Sequence, residues 1–230
     1  MRIAFIPARG GSKRIPHKNI KHFYGKPIIA YSIEAAIASG CFDKVIVSTD
    51  DLEIAEVSKQ FGAEVPFMRP VELADDFATT MVVIQHCISW CEAKGWPLES
   101  ACCIYATAPF IRPQDLQQGL KQLEASGCDY VFSATSFEFP IQRAIALSAD
   151  DRVCMFQPQY MNTRSQDLIE AFHDAGQFYW GKASAFKLGL PFFSERSEVV
   201  KLPRKRVQDI DTPEDWEFAE ALFSLMYKTS

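Results

Sequence analysis

The feature that most constrains this chain is an alternation of short apolar runs with stretches of helical period. Arg2-Ile3-Ala4-Phe5-Ile6-Pro7 has the length and side chains of a buried strand, and Pro7, which has no N–H to donate, ends it. A basic loop from Ala8 to about Lys26 follows. Ile28 to Ser39 then reads as a helix with Ile29, Ile33, Ala36 and Ile37 on one face and Gly40 as its stop. Lys44-Val45-Ile46-Val47-Ser48 is β-branched and apolar, a second buried strand. Asp51 to Phe61 reads as a second helix closed by Gly62, and Glu64 to Phe67 as a short third strand. This βαβαβ order predicts a parallel sheet with helices on both faces.

The pattern continues: a helix over Thr79–Lys94 capped by Thr79 or Thr80, a strand over Ala101–Tyr105, and a helix over Pro113–Ser126 ended by Gly127. Strands are expected at Tyr130–Thr135 and Gln177–Trp180, and a last helix over Thr212–Met226, opened by Thr212-Pro213-Glu214-Asp215. Residues from about 137 to 175 are irregular and read as a subregion or arm. No Pro/Gly/Ser-rich linker interrupts the chain, so residues 1–230 are expected to form a single α/β domain, a three-layer αβα arrangement with a Rossmann-like, mostly parallel sheet.

Charge narrows the function. The chain holds 24 Lys+Arg against 29 Asp+Glu, a poor balance for a nucleic-acid binder. Yet the segment 1–26 carries seven basic residues and no acid, which suits a small polyanion. No apolar run approaches the roughly 20 residues of a membrane helix, and the short apolar N-terminus is no signal-peptide core, so a cytoplasmic location is expected. The seven cysteines lack zinc-type spacing and read as buried thiols; Cys87 and Cys91, beside His86, fall one helical turn apart on an apolar face.

In an open parallel sheet, ligands bind beyond the carboxyl ends of the strands. The loop after the first strand, Ala8-Arg9-Gly10-Gly11-Ser12-Lys13-Arg14, combines glycines that permit positive φ and close approach with the cations Arg9, Lys13, Arg14 and Lys18. Consecutive N–H groups there are expected to cradle phosphate oxygens. In Asp209-Ile210-Asp211, extended backbone turns both carboxylates one way and Ile210 into the core. Two hard oxygen ligands suit Mg²⁺; the other reading is a helix N-terminal pair that only supports Thr212 onward. Together the two signals describe phosphoryl-type transfer by positioning and charge, with no covalent nucleophile.

Ile6-Pro7-Ala8-Arg9-Gly10-Gly11-Ser12-Lys13-Arg14-Ile15-Pro16-His17-Lys18-Asn19 resembles the signature loop of the cytidylyltransferases that activate sialic-acid-like sugars. Val47-Ser48-Thr49-Asp50, Arg69-Pro70 with Leu73-Ala74-Asp75, and Asp209-Ile210-Asp211-Thr212 follow in that family's order. The resemblance implies a nucleotide-diphospho-sugar transferase type of fold and transfer of CMP from CTP to a nine-carbon 2-keto sugar acid, with Mg²⁺ on Asp209 and Asp211. It implies catalytic roles for Arg9, Lys18 and Asp211, and nucleotide contacts from Ala8, Arg9, Gly10, Gly11, Ser12, Lys13, Lys18, Asn19, Arg69 and Thr80, with Asn19 and Arg69 near the cytosine. Sugar contacts are implied for Thr107, Arg143, Arg164, Gln177 and Tyr179.

The sugar side departs from the sialic-acid pattern. The family's Gln-x-Thr-Ser-Pro loop is replaced by Ala106-Thr107-Ala108-Pro109-Phe110, and its Asn-Gly-Ala-Ile-Tyr segment by Asp174-Ala175-Gly176-Gln177-Phe178-Tyr179-Trp180-Gly181. Both resemble the pseudaminic acid branch, where Ala106 would leave an apolar wall in place of the Gln. The resemblance also implies a homodimer joined through the arm, where Phe137, Phe139, Phe156 and Tyr160 cluster, with core packing as the other reading of those rings. In the family the product serves surface-glycan or flagellin modification. The alternatives are the same reaction on legionaminic or N-acetylneuraminic acid, a sugar-1-phosphate nucleotidyltransferase, and a nucleotide-sensing module without turnover. A dinucleotide-dependent dehydrogenase fits less well, because the loop lacks the GxGxxG spacing.

Overall fold

The structure is a computed structural model that describes residues 1–75 and 77–227. In chain order the elements are β1 (Arg2–Pro7), the short antiparallel pair β2 (His22–Phe23) and β3 (Lys26–Pro27), α1 (Ile28–Ser39), β4 (Lys44–Ser48), α2 (Leu52–Gln60), α3 (Thr80–Ala93), β5 (Ser100–Ile104) and α4 (Pro113–Ser126). There follow β6 (Tyr130–Ser136), the hairpin β7 (Ile145–Leu147) and β8 (Val153–Met155), β9 (Phe172–Lys182), α5 (Ala183–Lys187), β10 (Ser197–Lys201) and α6 (Pro213–Tyr227).

Six strands form the main sheet in the order β10-β6-β9-β5-β1-β4. β9 runs antiparallel to both β5 and β6, and every other pairing in that sheet is parallel. The period-2 alternation of β1 shows why both faces are covered. Ala4 and Ile6 pack with Ile29 and Ile33 of α1, Ile54 of α2 and Leu116 and Leu120 of α4. Ile3 and Phe5 face the other way, onto Val83, Ile84 and Ile88 of α3 and Phe186 of α5. The three-layer αβα expectation is met. Cys87 and Cys91 lie on the core face of α3, and no cluster of metal-ligating side chains occurs among the described residues.

A third, smaller core decides the geometry of the site. Ile15 of the basic loop, Phe23, Ile28, Phe110, Ile210, Trp216, Ala219 and Phe223 pack together, so α6 and the chain leading into it are clamped against the N-terminal loop. Phe23 meets Trp216 and Phe223 edge-on at centroid distances of 5.5 and 5.3 Å. Such aromatic pairs add about 0.5–1.5 kcal/mol each beyond their burial.

Helix ends fall where the sequence places them: Gly40 and Gly127 adopt left-handed φ of 64° and 71° after α1 and α4. Several local expectations are corrected. Ile37 of α1 is 48% exposed rather than part of the buried face. Glu64–Phe67 makes only an isolated bridge, Ile46 to Glu64, because Pro66 has no N–H with which to extend a ladder. β9 begins at Phe172 rather than Gln177, and its pairing with β6 shifts register between Phe132 and Ala134. α5 and β10 lie outside the elements read from the sequence. The aromatic residues of the arm are not core: Phe139 and Phe156 are 75% and 68% exposed. Among the described residues no helix is long and apolar enough to cross a membrane.

Candidate active site

From β1 the chain crosses to β4 on one side and later returns to β5 on the other, which makes the β1/β5 boundary a topological switch point. A cleft of about 270 Å³ opens there, lined by Pro7 at the end of β1 and by Tyr105, Ala106 and Thr107 just after β5. Its cationic side is Arg9, Lys13, Arg14 and Lys18 with Ser12 and Ile15; Asn19, Arg69, Ala78, Thr80, Val83 and Asp211 complete it.

The basic loop is held by the segment after β4. The Gly10 N–H donates to Asp50 Oδ1 at 3.1 Å, and the Ala8 and Ser12 N–H groups donate to the Ser48 and Gly10 carbonyls. Those three amides serve the protein in this structure and are not turned to the cleft, whose basic side is made of side-chain cations. Neither Gly10 nor Gly11 has positive φ. What Gly10 supplies is close approach: a Cβ there would stand 2.7 Å from Asp51 Oδ2. Asp51 itself caps α2, accepting from the Glu53 and Ile54 N–H groups. Asn19 is buried and its Nδ2 donates to the Arg9 carbonyl at 2.9 Å, while Arg9 Nη1 donates to the Asp75 carbonyl at 2.8 Å.

The far wall of the loop is Asp211. Lys18 Nζ donates to Asp211 Oδ1 at 3.2 Å and to the Ile210 carbonyl at 2.7 Å. Arg14 Nη2 donates to Asp211 Oδ2 at 2.8 Å. Ile210 is buried as expected. The cap of α6 is made elsewhere: the Asp215 carboxylate accepts from the Asp211 and Thr212 N–H groups and from the Thr212 hydroxyl, and Thr212 Oγ1 accepts from the Asp215 N–H. The side chains of Asp209 and Asp211 are therefore not what caps this helix. Asp209 does not line the cleft. Its carboxyl is nevertheless held above the usual carboxylate range, first by local desolvation and then by the Asp211 charge, although the residue as a whole is exposed.

Arg69 forms the buried floor. Asp50 Oδ1 lies 3.7 Å from its Nη2, and its Nε and Nη2 have no hydrogen-bond partner in the protein. Burial pulls its pKa below the usual guanidinium range, and Asp50 opposes that shift. On the uncharged wall, Tyr105 Oη lies 3.3 Å from Thr80 Oγ1. Counting back from Thr107 and Pro109, Tyr105 rather than Ala106 holds the place of the family's Gln; Ala106 is buried beside it.

Arg9, Ser12, Lys13, Lys18, Asn19, Arg69, Thr80, Thr107 and Asp211 thus converge on one cleft. Ala8 is buried beneath it, and Gly10 and Gly11 shape the loop without lining it. Four residues expected at the sugar are not brought there. Gln177 is buried and its Nε2 donates to the Arg206 carbonyl at 2.5 Å. Tyr179 is buried behind Tyr105 and donates its hydroxyl to Asp174. Arg143, bonded to the Thr163 carbonyl and Ser165, and Arg164, paired with Asp167 at 2.7 Å, are exposed on the arm. Sequence reading missed Tyr105 as a wall and Arg14 as the partner of Asp211; the position of Tyr105 two residues before Thr107 was the available signal for the first.

The chain matches the family model described as "Cytidylyltransferase" over residues 3–227. It is 44% identical over 228 residues to the pseudaminic acid cytidylyltransferase of Campylobacter jejuni, covering 99% of this chain and 98% of that one. It is 30% identical over 230 residues to the CMP-N,N'-diacetyllegionaminic acid synthase of Legionella pneumophila, covering 97% and 96%. Among solved structures it is similar to a CMP:2-keto-3-deoxy-manno-octonic acid synthetase complexed with CTP, with TM-score 0.70, 17% identity and coverage of 98% and 99%; that likeness is one of fold. Basic loop, buried arginine and facing aspartate occupy one cleft of this fold, and the chain belongs to the cytidylyltransferase family.

Proposed function

We propose that this chain transfers CMP from CTP to the anomeric hydroxyl of pseudaminic acid, releasing pyrophosphate. The observation that carries the reading is the convergence of Arg9, Lys13 and Lys18 with Asp211 in one cleft at the switch point. Full-length similarity to the Campylobacter enzyme supports the choice of sugar.

In the reaction the hydroxyl oxygen bonds to the α-phosphorus as the bond from that phosphorus to the pyrophosphate oxygen breaks, and the hydroxyl proton is released. Charge builds on the phosphoryl oxygens, and fixed cations stabilise it without reorganising. We assign this role to Lys18, a reading supported by the anchoring of its ammonium on the Ile210 carbonyl and by a side chain only one-fifth exposed. Arg9 and Lys13 neutralise the remaining phosphates.

Asp211, which lines the cleft, is the residue we assign to a magnesium ion, with Asp209 as the family-implied second carboxylate outside the cleft lining. Mg²⁺ is commonly held by one or two carboxylates together with substrate phosphates. Asp211 presents its carboxylate to the cleft beside Lys18 and Arg14. Bound there, the ion would neutralise leaving-group charge and lower the pKa of the attacking hydroxyl.

Arg69 suits cytosine. Arg69 lines the cleft, and a guanidinium can offer two parallel N–H donors to a base edge. Cytosine offers two adjacent acceptors, O2 and N3, whereas uracil carries N3–H. Tyr105 and Ala106 form an uncharged wall opposite the cations, in keeping with a sugar bearing methyl and acetamido groups.

The arm exposes Phe139, Ile145, Leu147, Val153 and Phe156, of which Leu147 and Val153 face each other across the β7/β8 hairpin, and we assign this apolar surface to a second copy of the chain. We read the protein as a homodimer joined there, acting in the cytoplasm ahead of surface-glycan or flagellin modification. Pyrophosphate release in the presence of pseudaminic acid, measured with CTP, UTP and GTP in parallel, tests the nucleotide half of this reading. Release with CTP alone is expected; equal release with UTP would contradict the role of Arg69.

A further inference from the structure

Both oxygens of the Asp211 carboxylate are engaged by cations, Oδ2 by Arg14 at 2.8 Å and Oδ1 by Lys18 at 3.2 Å. The two cations are held differently. Lys18 is mostly buried and has a second anchor in the Ile210 carbonyl. Arg14 is 63% exposed on a flexible side chain, and exposed ion pairs of this kind are weakly held. The backbone that carries the carboxylate is fixed, because the Asp211 N–H is bonded to Asp215 and Ile210 is locked in the core.

A divalent ion on Asp211 would sit about 2.1 Å from a carboxylate oxygen, and so roughly 4 Å from the Arg14 guanidinium. The like charges repel at that range, and the ion would be opposed while Arg14 stays. A triphosphate in the cleft changes the balance. Arg14 lines the same cleft as Arg9 and Lys13, and guanidinium binds phosphate bidentately.

We propose that Arg14 couples metal entry to nucleotide binding: it covers Asp211 until a polyphosphate draws it away, so that the divalent ion binds with the nucleotide and not before it. The inference rests on the reading of Asp211 as a metal ligand, and it assigns Arg14 a positioning role.

The test is Mn²⁺ binding followed by electron paramagnetic resonance, without sugar so that no turnover occurs. Wild type, Arg14→Gln and Asp211→Asn are each titrated with and without CTP. Wild type should bind Mn²⁺ weakly alone and strongly with CTP. Arg14→Gln should bind Mn²⁺ without nucleotide at least about tenfold more tightly than wild type, because a unit charge roughly 4 Å from a divalent ion opposes it by more than that factor even at the dielectric of water. Adding Asp211→Asn to Arg14→Gln should abolish that gain. Equal nucleotide-free affinity in wild type and Arg14→Gln, or wild-type affinity that does not depend on CTP, would overturn the proposal while leaving the metal reading in place. Absence of Mn²⁺ binding in wild type even with CTP would overturn the metal reading itself.

Discussion

Lys18 and Asp211 lie 193 residues apart in the chain and 3.2 Å apart in the fold. One belongs to the loop after the first strand, the other to the segment that enters the last helix, and a shared apolar core of Ile15, Phe23, Ile210 and Trp216 joins the two. The cleft is therefore closed by residues from both ends of the chain, and its chemistry depends on that packing.

Lys18→Ala should lower turnover by about two orders of magnitude, the usual cost of losing a preorganised charge aimed at a developing anion. Circular dichroism and the melting temperature should change little. Near-normal pyrophosphate release from the variant would remove Lys18 from the chemistry.

Asp211→Asn and Thr212→Ala are adjacent substitutions with opposite expected signatures. The first should shift or abolish the Mg²⁺ dependence of turnover with a small change in melting temperature. The second removes a helix cap and should cost about 1 kcal/mol of stability while leaving the Mg²⁺ titration unchanged. If both act only on stability, the paired aspartates are merely structural.

Gly10→Ala should damage the loop although the backbone φ is unexceptional. The added Cβ would stand 2.7 Å from Asp51 Oδ2 and 3.0 Å from its Cβ, so the loop or the cap of α2 must shift. Overpacking of this kind costs about 1–3 kcal/mol. A raised KM for CTP together with a lowered melting temperature is expected. Gly11→Ala, which meets nothing within 4 Å, should leave the melting temperature near that of wild type.

Asp215 carries a pH signature. Hydrogen bonds from Thr212, and then from the Asp211 N–H, hold its carboxyl below the usual range. A carboxyl with a lowered folded-state pKa contributes stability that is fully present above its unfolded value and is lost as the pH falls through the folded value. Urea unfolding of wild type and Asp215→Asn should differ at neutral pH and converge as the solution is made acidic. A gap between the two that does not change with pH would refute the assignment.

The layers of the fold were legible because each parallel strand is a short β-branched run flanked by a capped, periodic helix; β1 and α1 show this most clearly. Short elements such as β10 and α5 left no comparable signal, and Pro66 turned an apparent strand into a single bridge. At the site, the cations could be read from local composition, and so could the paired aspartates. Which of those groups face one another could not, since the Arg14–Asp211 contact spans 197 positions and exists only through the core formed by α6. That Gln177 and Tyr179 do not line the cleft has a related reason: both lie on β9, an antiparallel strand in the middle of the sheet, where side chains are buried by the layers on either side.

The most direct measurement is pyrophosphate release from CTP and Mg²⁺ with pseudaminic acid, legionaminic acid and N-acetylneuraminic acid in parallel, compared as kcat/KM. Pseudaminic acid should be turned over with the highest kcat/KM. A higher kcat/KM for N-acetylneuraminic acid or legionaminic acid would contradict the assignment of the sugar, and silence with all three would contradict the proposed reaction.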